Sequence, residues 1–465
     1  MPINSFLYPG VKVFTPYEVA NSLRFDDGSS DNLTRTTDTP DNRDKFTVSA
    51  WIKLSSHASK NPIVAFYGSN DYCSLLYNDE RIQFIVYDGG NIANISLTSR
   101  HRDFSAWYHI VLAVDSTQAT ASDRVKIYVN GVQETTLTDT SYPAQNADMI
   151  RSTMTTTAVG RSVDQLGTNF YCDGYLAEVV CIDNQQLTPT SFGEFDTDTG
   201  IWKPIDVSSL TFGTNGFYLD FENSGSLGAA VSGNGNNFTV NNLTSIDQTT
   251  DTPTNNWCTM NPLITRSGTA ATYSEGNLKV VWSHSVNVPT MGTIGVQSGK
   301  WYYESKMFWG SNSYIGITYD STPTNTDVTG YLLRQTGQKY DAFTGSGSSY
   351  TSALSTGDTV MIAFDADNGT LWFGVNGTWS NSATQTEIEN GITTNAAFSS
   401  IDMSYIWLPM GKGGISSNAR IEANFGNPIY TISSGNSDAN GYGNFEYAVP
   451  SGYYAFNSKN LAEFG

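Results

Sequence analysis

Residues 46–54 read Phe46-Thr47-Val48-Ser49-Ala50-Trp51-Ile52-Lys53-Leu54, and their alternation decides the fold class. In an extended chain successive side chains point to opposite faces, so Phe46, Val48, Ala50, Ile52 and Leu54 share one side. That pattern predicts a strand with an apolar face turned to a core. Working outward, residues 61–67, 73–77, 81–87, 107–115, 124–129 and 175–182 show similar short apolar runs, punctuated by Gly, Asn and Asp. Turn residues at such intervals, with helical periodicity nearly absent, read as an antiparallel sandwich over residues 22–196.

A second set of strands is expected at 277–282, 299–308, 313–319, 359–365, 370–375 and 419–425. Both sets share one local device. Ile110-Val111-Leu112-Ala113-Val114-Asp115 precedes Val129-Asn130-Gly131, and Val360-Met361-Ile362-Ala363-Phe364-Asp365 precedes Val375-Asn376-Gly377. Asn-Gly supplies the positive φ angles that a tight hairpin needs. Between the two sets, Asn223-Ser224-Gly225-Ser226-Leu227-Gly228 and Ser232-Gly233-Asn234-Gly235-Asn236-Asn237 are too polar and glycine-rich to suggest a core. The expected architecture is all-β. It comprises an N-terminal arm (1–21), a first sandwich (22–196), an ordered Gly/Asn/Thr-rich connector lying on a domain surface (197–262), and a second sandwich with a closing segment (263–465).

Composition narrows the function classes. Charged residues are 15% of the chain against a usual roughly 25%, so Thr, Ser, Asn and Gly carry the polarity of the surface. The 44 acidic and 24 basic residues leave a net charge of −20, a field that repels phosphate backbones and argues against nucleic acid as partner. No run of apolar residues is long enough to span a membrane, and the first residues carry no secretory-signal pattern. Cys73, Cys172, Cys181 and Cys258 lack C-x-x-C spacing, which argues against zinc or redox motifs. Cys172 and Cys181 could face each other on adjacent strands, but buried free thiols are the expectation.

The ordered set Phe46-Thr47-Val48-Ser49-Ala50-Trp51-Ile52, Trp107-Tyr108-His109-Ile110-Val111-Leu112, Val125-Lys126-Ile127-Tyr128-Val129-Asn130-Gly131 and Gly174-Tyr175-Leu176-Ala177-Glu178-Val179 resembles the laminin-G-like, concanavalin A-like sandwiches. The set Gly299-Lys300-Trp301-Tyr302-Tyr303-Glu304, Tyr314-Ile315-Gly316-Ile317, Gly357-Asp358-Thr359-Val360 and Leu371-Trp372-Phe373-Gly374-Val375-Asn376-Gly377 resembles SPRY domains. Tyr218-Leu219-Asp220-Phe221-Glu222, the run 232–240, Asp251-Thr252-Pro253-Thr254-Asn255-Asn256-Trp257-Cys258 and the tail 450–461 are similar to segments of bacteriophage structural proteins. These resemblances imply jelly-roll binding modules on a virion. The expected location is the virion, after synthesis in the host cytoplasm.

Candidate sites follow. Glucanases of the concanavalin A-like class use two Glu flanking an Asp on one strand, and no Glu-x-Asp-x-x-Glu run occurs here. Asp220 with Glu222, and Asp365 with Asp367, share a strand face at i, i+2 and read as turn residues. The scattered histidines form no metal motif, and no nucleophile elbow or phosphate loop occurs. No enzyme and no cofactor are therefore expected, with Ca²⁺ the one candidate. The laminin-G resemblance implies loop oxygens for it, and Asp71, Asp79, Asp88 and Asn91 lie in suitable loops, although Asx residues also favour turns for local reasons. For ligand binding, Tyr319, Asp320, Tyr340 and Trp379 fall at strand ends or in loops of the second sandwich. Trp379 has the competing reading of packing beneath its own hairpin. In the arm, Phe6, Leu7, Tyr8 and Phe14 are candidates for docking on other virion proteins.

Three functions are carried forward. The first is a tail fibre or adhesin contacting host-surface glycan or protein. The second is a capsid or tail decoration protein, and the third a polysaccharide depolymerase. A homo-oligomer, by default a trimer, is expected.

Overall fold

The computed structural model describes residues 17–56, 60–264, 271–282, 289–308, 313–319, 329–413 and 419–465. Strand Lys45–Leu54 lies in the middle of the first of two eight-stranded antiparallel sheets. Its neighbours are Tyr108–Asp115 on one side and Gly174–Asp183 on the other, and Ser22–Phe25 and Gln248–Thr249 extend the sheet. The facing sheet runs in the order Leu137–Ser141, Asn91–Leu97, Arg81–Asp88, Asp71–Asn78, Lys60–Tyr67, Thr156–Val159, Asn32–Thr36, Thr239–Asn241. Phe46, Val48, Ala50, Ile52 and Leu54 all enter the core between them, as their alternation requires. Phe46 meets Phe66 and Phe84 of the facing sheet edge-on, at centroid distances of 6.1 and 6.4 Å. The four cysteines are buried free thiols.

The segment expected to be a connector is instead part of this sandwich. Phe217–Leu219 pairs with Gly174–Asp183, Thr239–Asn241 pairs with Asn32–Thr36, and Gln248–Thr249 pairs with Ser22–Phe25. Phe217, Leu219, Phe221, Leu227, Phe238 and Leu243 are buried in the same core as Phe46. Polar composition misleads here because single apolar anchors between glycines suffice when the partner strands already exist. Several of the segment's polar groups are satisfied locally. Asn236 donates to the carbonyls of Thr214 and Gly216 at 2.9 and 2.7 Å, and Arg35 donates to Asn236 at 3.0 Å.

The second sandwich is built the same way. One sheet orders Ala271–Ser274, Lys279–Trp282, Ala419–Asn424, Lys300–Phe308, Thr359–Asp365, Thr370–Val375 and Thr378–Trp379, with Tyr454–Ala455 added parallel to Lys300–Phe308. The other orders Pro289–Met291, Leu408–Lys412, Tyr314–Thr318, Tyr331–Arg334, Gln338–Asp341 and Ser346–Ser349. Tyr303, Ile362 and Phe373 pack against Ile315, Ile317 and Leu333 between them. Both Asn-Gly hairpins form as expected. Asn130 and Gly131 have φ of 46° and 81°, and Asn376 and Gly377 have 48° and 83°. Each asparagine also accepts a backbone N–H with its side chain, from His109 at 2.8 Å and from Thr359 at 2.9 Å.

The modules meet along a polar seam. Lys53, at the end of the central strand Lys45–Leu54, donates to Asp251 Oδ2 at 2.8 Å, Asn256 Oδ1 at 2.8 Å and the Trp257 carbonyl at 2.9 Å. Trp257 belongs to a cluster of the second module with Tyr302, Trp372 and Phe445. Tyr175 donates to the Gly276 carbonyl across the seam at 2.8 Å. Hydrogen bonds from Lys53 and Tyr175 thus fix one module on the other.

Candidate ligand-binding surfaces

An aromatic stack lies at one end of the second sandwich. Strand Tyr314–Thr318 ends at Tyr319, the turn after Gln338–Asp341 carries Phe343, and the loop entering Leu408–Lys412 carries Tyr405, Ile406 and Trp407. Tyr319 stacks on Tyr405 at 4.1 Å and on Phe343 at 5.2 Å, with interplanar angles of 17° and 10°. Trp407 sits beneath, edge-on to Tyr319, and its Nε1 donates to the Asp402 carbonyl at 3.0 Å. Phe343, Tyr405 and Ile406 remain 39%, 43% and 57% exposed, so the stack offers open apolar surface on a buried anchor. Asp341 and Asp402 brace the loops by accepting the Phe343 and Ser404 N–H groups, each at 2.9 Å. Hydrogen bonds from the Ser404 N–H and hydroxyl to the charged form hold the Asp402 carboxyl below the usual carboxylate range. Open rings flanked by carboxylates suit the C–H face of a sugar or an apolar side chain, with acceptors beside it.

Of the four residues expected at this site, Tyr319 is its centre. Asp320 lies outside the described residues. Tyr340 packs with Tyr314, Leu332 and Met410 in a cluster separate from the Tyr319 core, and Trp379 is buried with Tyr302 and Ile388 under its hairpin. Tyr319, Tyr340 and Trp379 therefore do not form one surface. Tyr405 and Phe343 carry no strand or motif signal, and only the closure of the sandwich places them beside Tyr319.

The expected calcium residues also part company. Asp71 and Asp88 face each other at one end of a hairpin, next to Asn91. Asp79 lies in the turn at the other end and approaches Arg100 at 3.7 Å. Asp88 is paired with Arg151 at 2.9 Å, and Asp71 accepts the Thr153 hydroxyl. A cation cannot take all four, because its ligands must surround one point and here the strand length separates them. Phe6, Leu7, Tyr8 and Phe14 lie outside the described residues.

The carboxylates weighed for hydrolysis are engaged in turns. Asp220 accepts the Glu222 N–H at 3.2 Å, Asp365 accepts the Asn368 N–H at 3.0 Å, and Asp367 accepts the Gly299 N–H at 2.7 Å. Two glutamates are also buried. Burial pushes the Glu178 carboxyl up to about 7, while hydrogen bonds from Tyr218 at 2.8 Å and Tyr17 at 3.0 Å act against that rise. Glu304 receives the Tyr302 hydroxyl and the N–H groups of Glu446 and Tyr447, at 2.8, 3.0 and 2.8 Å, which ties the closing segment to the sheet. A groove of about 500 Å³ opens along the seam between modules, with Thr250, Asn427, Tyr430 and Tyr442 among its walls.

Residues 27–191 match the family model described as the concanavalin A-like lectin/glucanases superfamily, and residues 300–394 match that of the SPRY domain. The chain carries one domain of each kind. Both matches stop short of the sandwiches. Ser22–Phe25 and the strands after residue 191 complete the concanavalin A-like domain, and Leu408–Lys412 and Ala419–Asn424 complete the SPRY domain. Among solved structures, the chain is similar to the SPRY domain of human HERC1 at 15% identity and a TM-score of 0.28, covering 35% of this chain and 96% of that one. It is also similar to the heptameric SAP-like pentraxin from Limulus polyphemus at 18% identity and a TM-score of 0.28, covering 37% and 80%. No curated protein matches the chain.

Proposed function

We propose that this is a non-catalytic binding protein of a bacteriophage virion surface, a host-recognition fibre or adhesin whose SPRY domain contacts cell-surface glycan or protein. The observation that carries the reading is the exposed Phe343–Tyr319–Tyr405 stack, held on a buried tryptophan at the end of a rigid sheet. Rigid aromatic anchors supply contact area at small entropic cost, which is what recognition of a large flexible ligand demands. The phage assignment is supported by the resemblance of residues 218–258 and 450–461 to phage structural proteins. A second reading, decoration of the capsid or tail, is favoured by the seam. Lys53 and Tyr175 fix the modules together, and a body of fixed shape suits a shell-bound cement. In either case the partners are other virion proteins and, by default, two further copies of the chain. A depolymerase ranks last, since the candidate carboxylates already serve turns.

Adsorption of the purified full-length chain to host cells and to fibre- or decoration-free particles separates the readings. Cell binding lost in Tyr319→Ala/Tyr405→Ala is the expected result. Binding to particles alone transfers the function to decoration, and no binding to either removes both readings.

A further inference from the structure

We propose that Lys53 and Asn256 join covalently across the seam, in an isopeptide bond whose protons are carried by Asp251. Lys53 Nζ stands 2.8 Å from Asn256 Oδ1 and 2.8 Å from Asp251 Oδ2. The Asn256 carboxamide carbon lies one C=O bond from Oδ1, so Nζ is within about 4.0 Å of it. Reacting atoms in near-attack geometry are roughly 3–3.5 Å apart, and a small Lys53 torsion closes the difference.

The surroundings hold each group to its part. Trp107 Nε1 and the Trp257 N–H donate to Asp251 Oδ1 at 3.0 and 3.3 Å, which leaves Oδ2 for Nζ. Asn256 Nδ2 donates to the Ser105 carbonyl at 2.6 Å, and the carboxamide is thereby fixed with Oδ1 towards the lysine. The Lys53 and Asp251 side chains are buried, so competing water is kept from the amine. Asn256 is only half-buried, which gives a leaving group its way out.

Asp251 takes one proton from the Lys53 ammonium and frees the nitrogen lone pair. Nζ attacks the Asn256 carboxamide carbon, forming the new C–N bond and placing negative charge on Oδ1. Asp251 then gives its proton to Nδ2. The C–Nδ2 bond breaks with its electron pair on nitrogen, the C=O bond re-forms, and ammonia leaves. A second proton passes from Nζ to Asp251, so a neutral amide ends beside a neutral carboxylic acid. Atoms and charge balance without a co-reactant, and the cost of holding two buried charges disappears. The bond ties residues 203 positions apart, closing the first module onto the chain that enters the second. Ligation follows folding, because Lys53 reaches Asp251 only through the pairing of Lys45–Leu54, Gly174–Asp183, Ser22–Phe25 and Gln248–Thr249. Calorimetry of freshly folded chain therefore reads the ion pair alone. This chemistry is independent of what the SPRY domain binds.

The test is intact-mass spectrometry of the full-length chain, fresh and after prolonged incubation at neutral pH, followed by tryptic mapping. The expected result is a mass that falls by one ammonia, loss of cleavage after Lys53, and a branched peptide joining Lys53 to Asn256. Asn256→Ala and Asp251→Asn keep the full sequence mass. Mapping of the wild-type chain decides the matter even where a variant fails to fold. A wild-type mass that stays at the sequence value overturns the proposal. So does ammonia lost only elsewhere, as at the Asn130-Gly131 turn, or a loss that persists in Asn256→Ala or Asp251→Asn.

Discussion

Replacing Lys53 by methionine tests how the modules are joined. The Lys53 and Asp251 side chains are 1% and 2% exposed, and the ammonium spends its three protons on Asp251, Asn256 and the Trp257 carbonyl. Methionine fills most of the space but leaves Asp251 buried without its counter-charge. Removing one partner of a buried pair costs about 3–5 kcal/mol, far above the value of an exposed pair. For a module of this size that lowers the melting temperature by roughly 6–20 °C. Differential scanning calorimetry reads the loss directly. The double variant Lys53→Met/Asp251→Asn supplies the control. Asparagine keeps an acceptor for Trp107 Nε1, which donates to Asp251 Oδ1 at 3.0 Å, while removing the stranded charge, so most of the loss returns. A single variant that loses less than about 1 kcal/mol refutes the claim that this pair fixes the seam.

Three further outcomes are expected. Glu178 titrates near 7 when folded and near 4.5 when unfolded, so its favourable contribution is complete below pH 4.5 and gone above about 7. Glu178→Gln should therefore gain about 3 kcal/mol over wild type at pH 8 and nothing at pH 4 in urea melts. His109 accepts Trp202 Nε1 at 2.9 Å, lies 2.8 Å from Ser49 Oγ, and is held by burial at about 3. Its stabilisation is present above pH 6.5 and lost as pH falls towards 3, and His109→Gln should flatten the stability curve across that window. Phe217, fully buried and 4.9 Å from the Phe238 ring, should cost about 3–5 kcal/mol as alanine in chemical denaturation, whereas an appended connector would lose almost nothing.

The long strands could be read from sequence because they alternate over enough residues to exclude a helix, and because Asn130-Gly131 and Asn376-Gly377 announce their turns. The strands of residues 217–249 could not. Each is only two or three residues long, and its apolar anchor becomes meaningful only against a partner nearly forty to more than two hundred positions away, as with Val240 and Leu33. The site shows the same divide. Tyr319 follows a recognisable strand, whereas Tyr405 and Phe343 sit in loops whose meeting depends on sheet order.

The most direct measurement is an adsorption isotherm of the chain on cells of the proposed bacterial host, with free reducing ends counted in the same supernatant. Saturable binding is expected, weakened at least tenfold by Tyr405→Ala through loss of about 1.4 kcal/mol or more of ring contact, with no rise in reducing ends. Reducing ends that accumulate with time and enzyme-like dependence on concentration would contradict it.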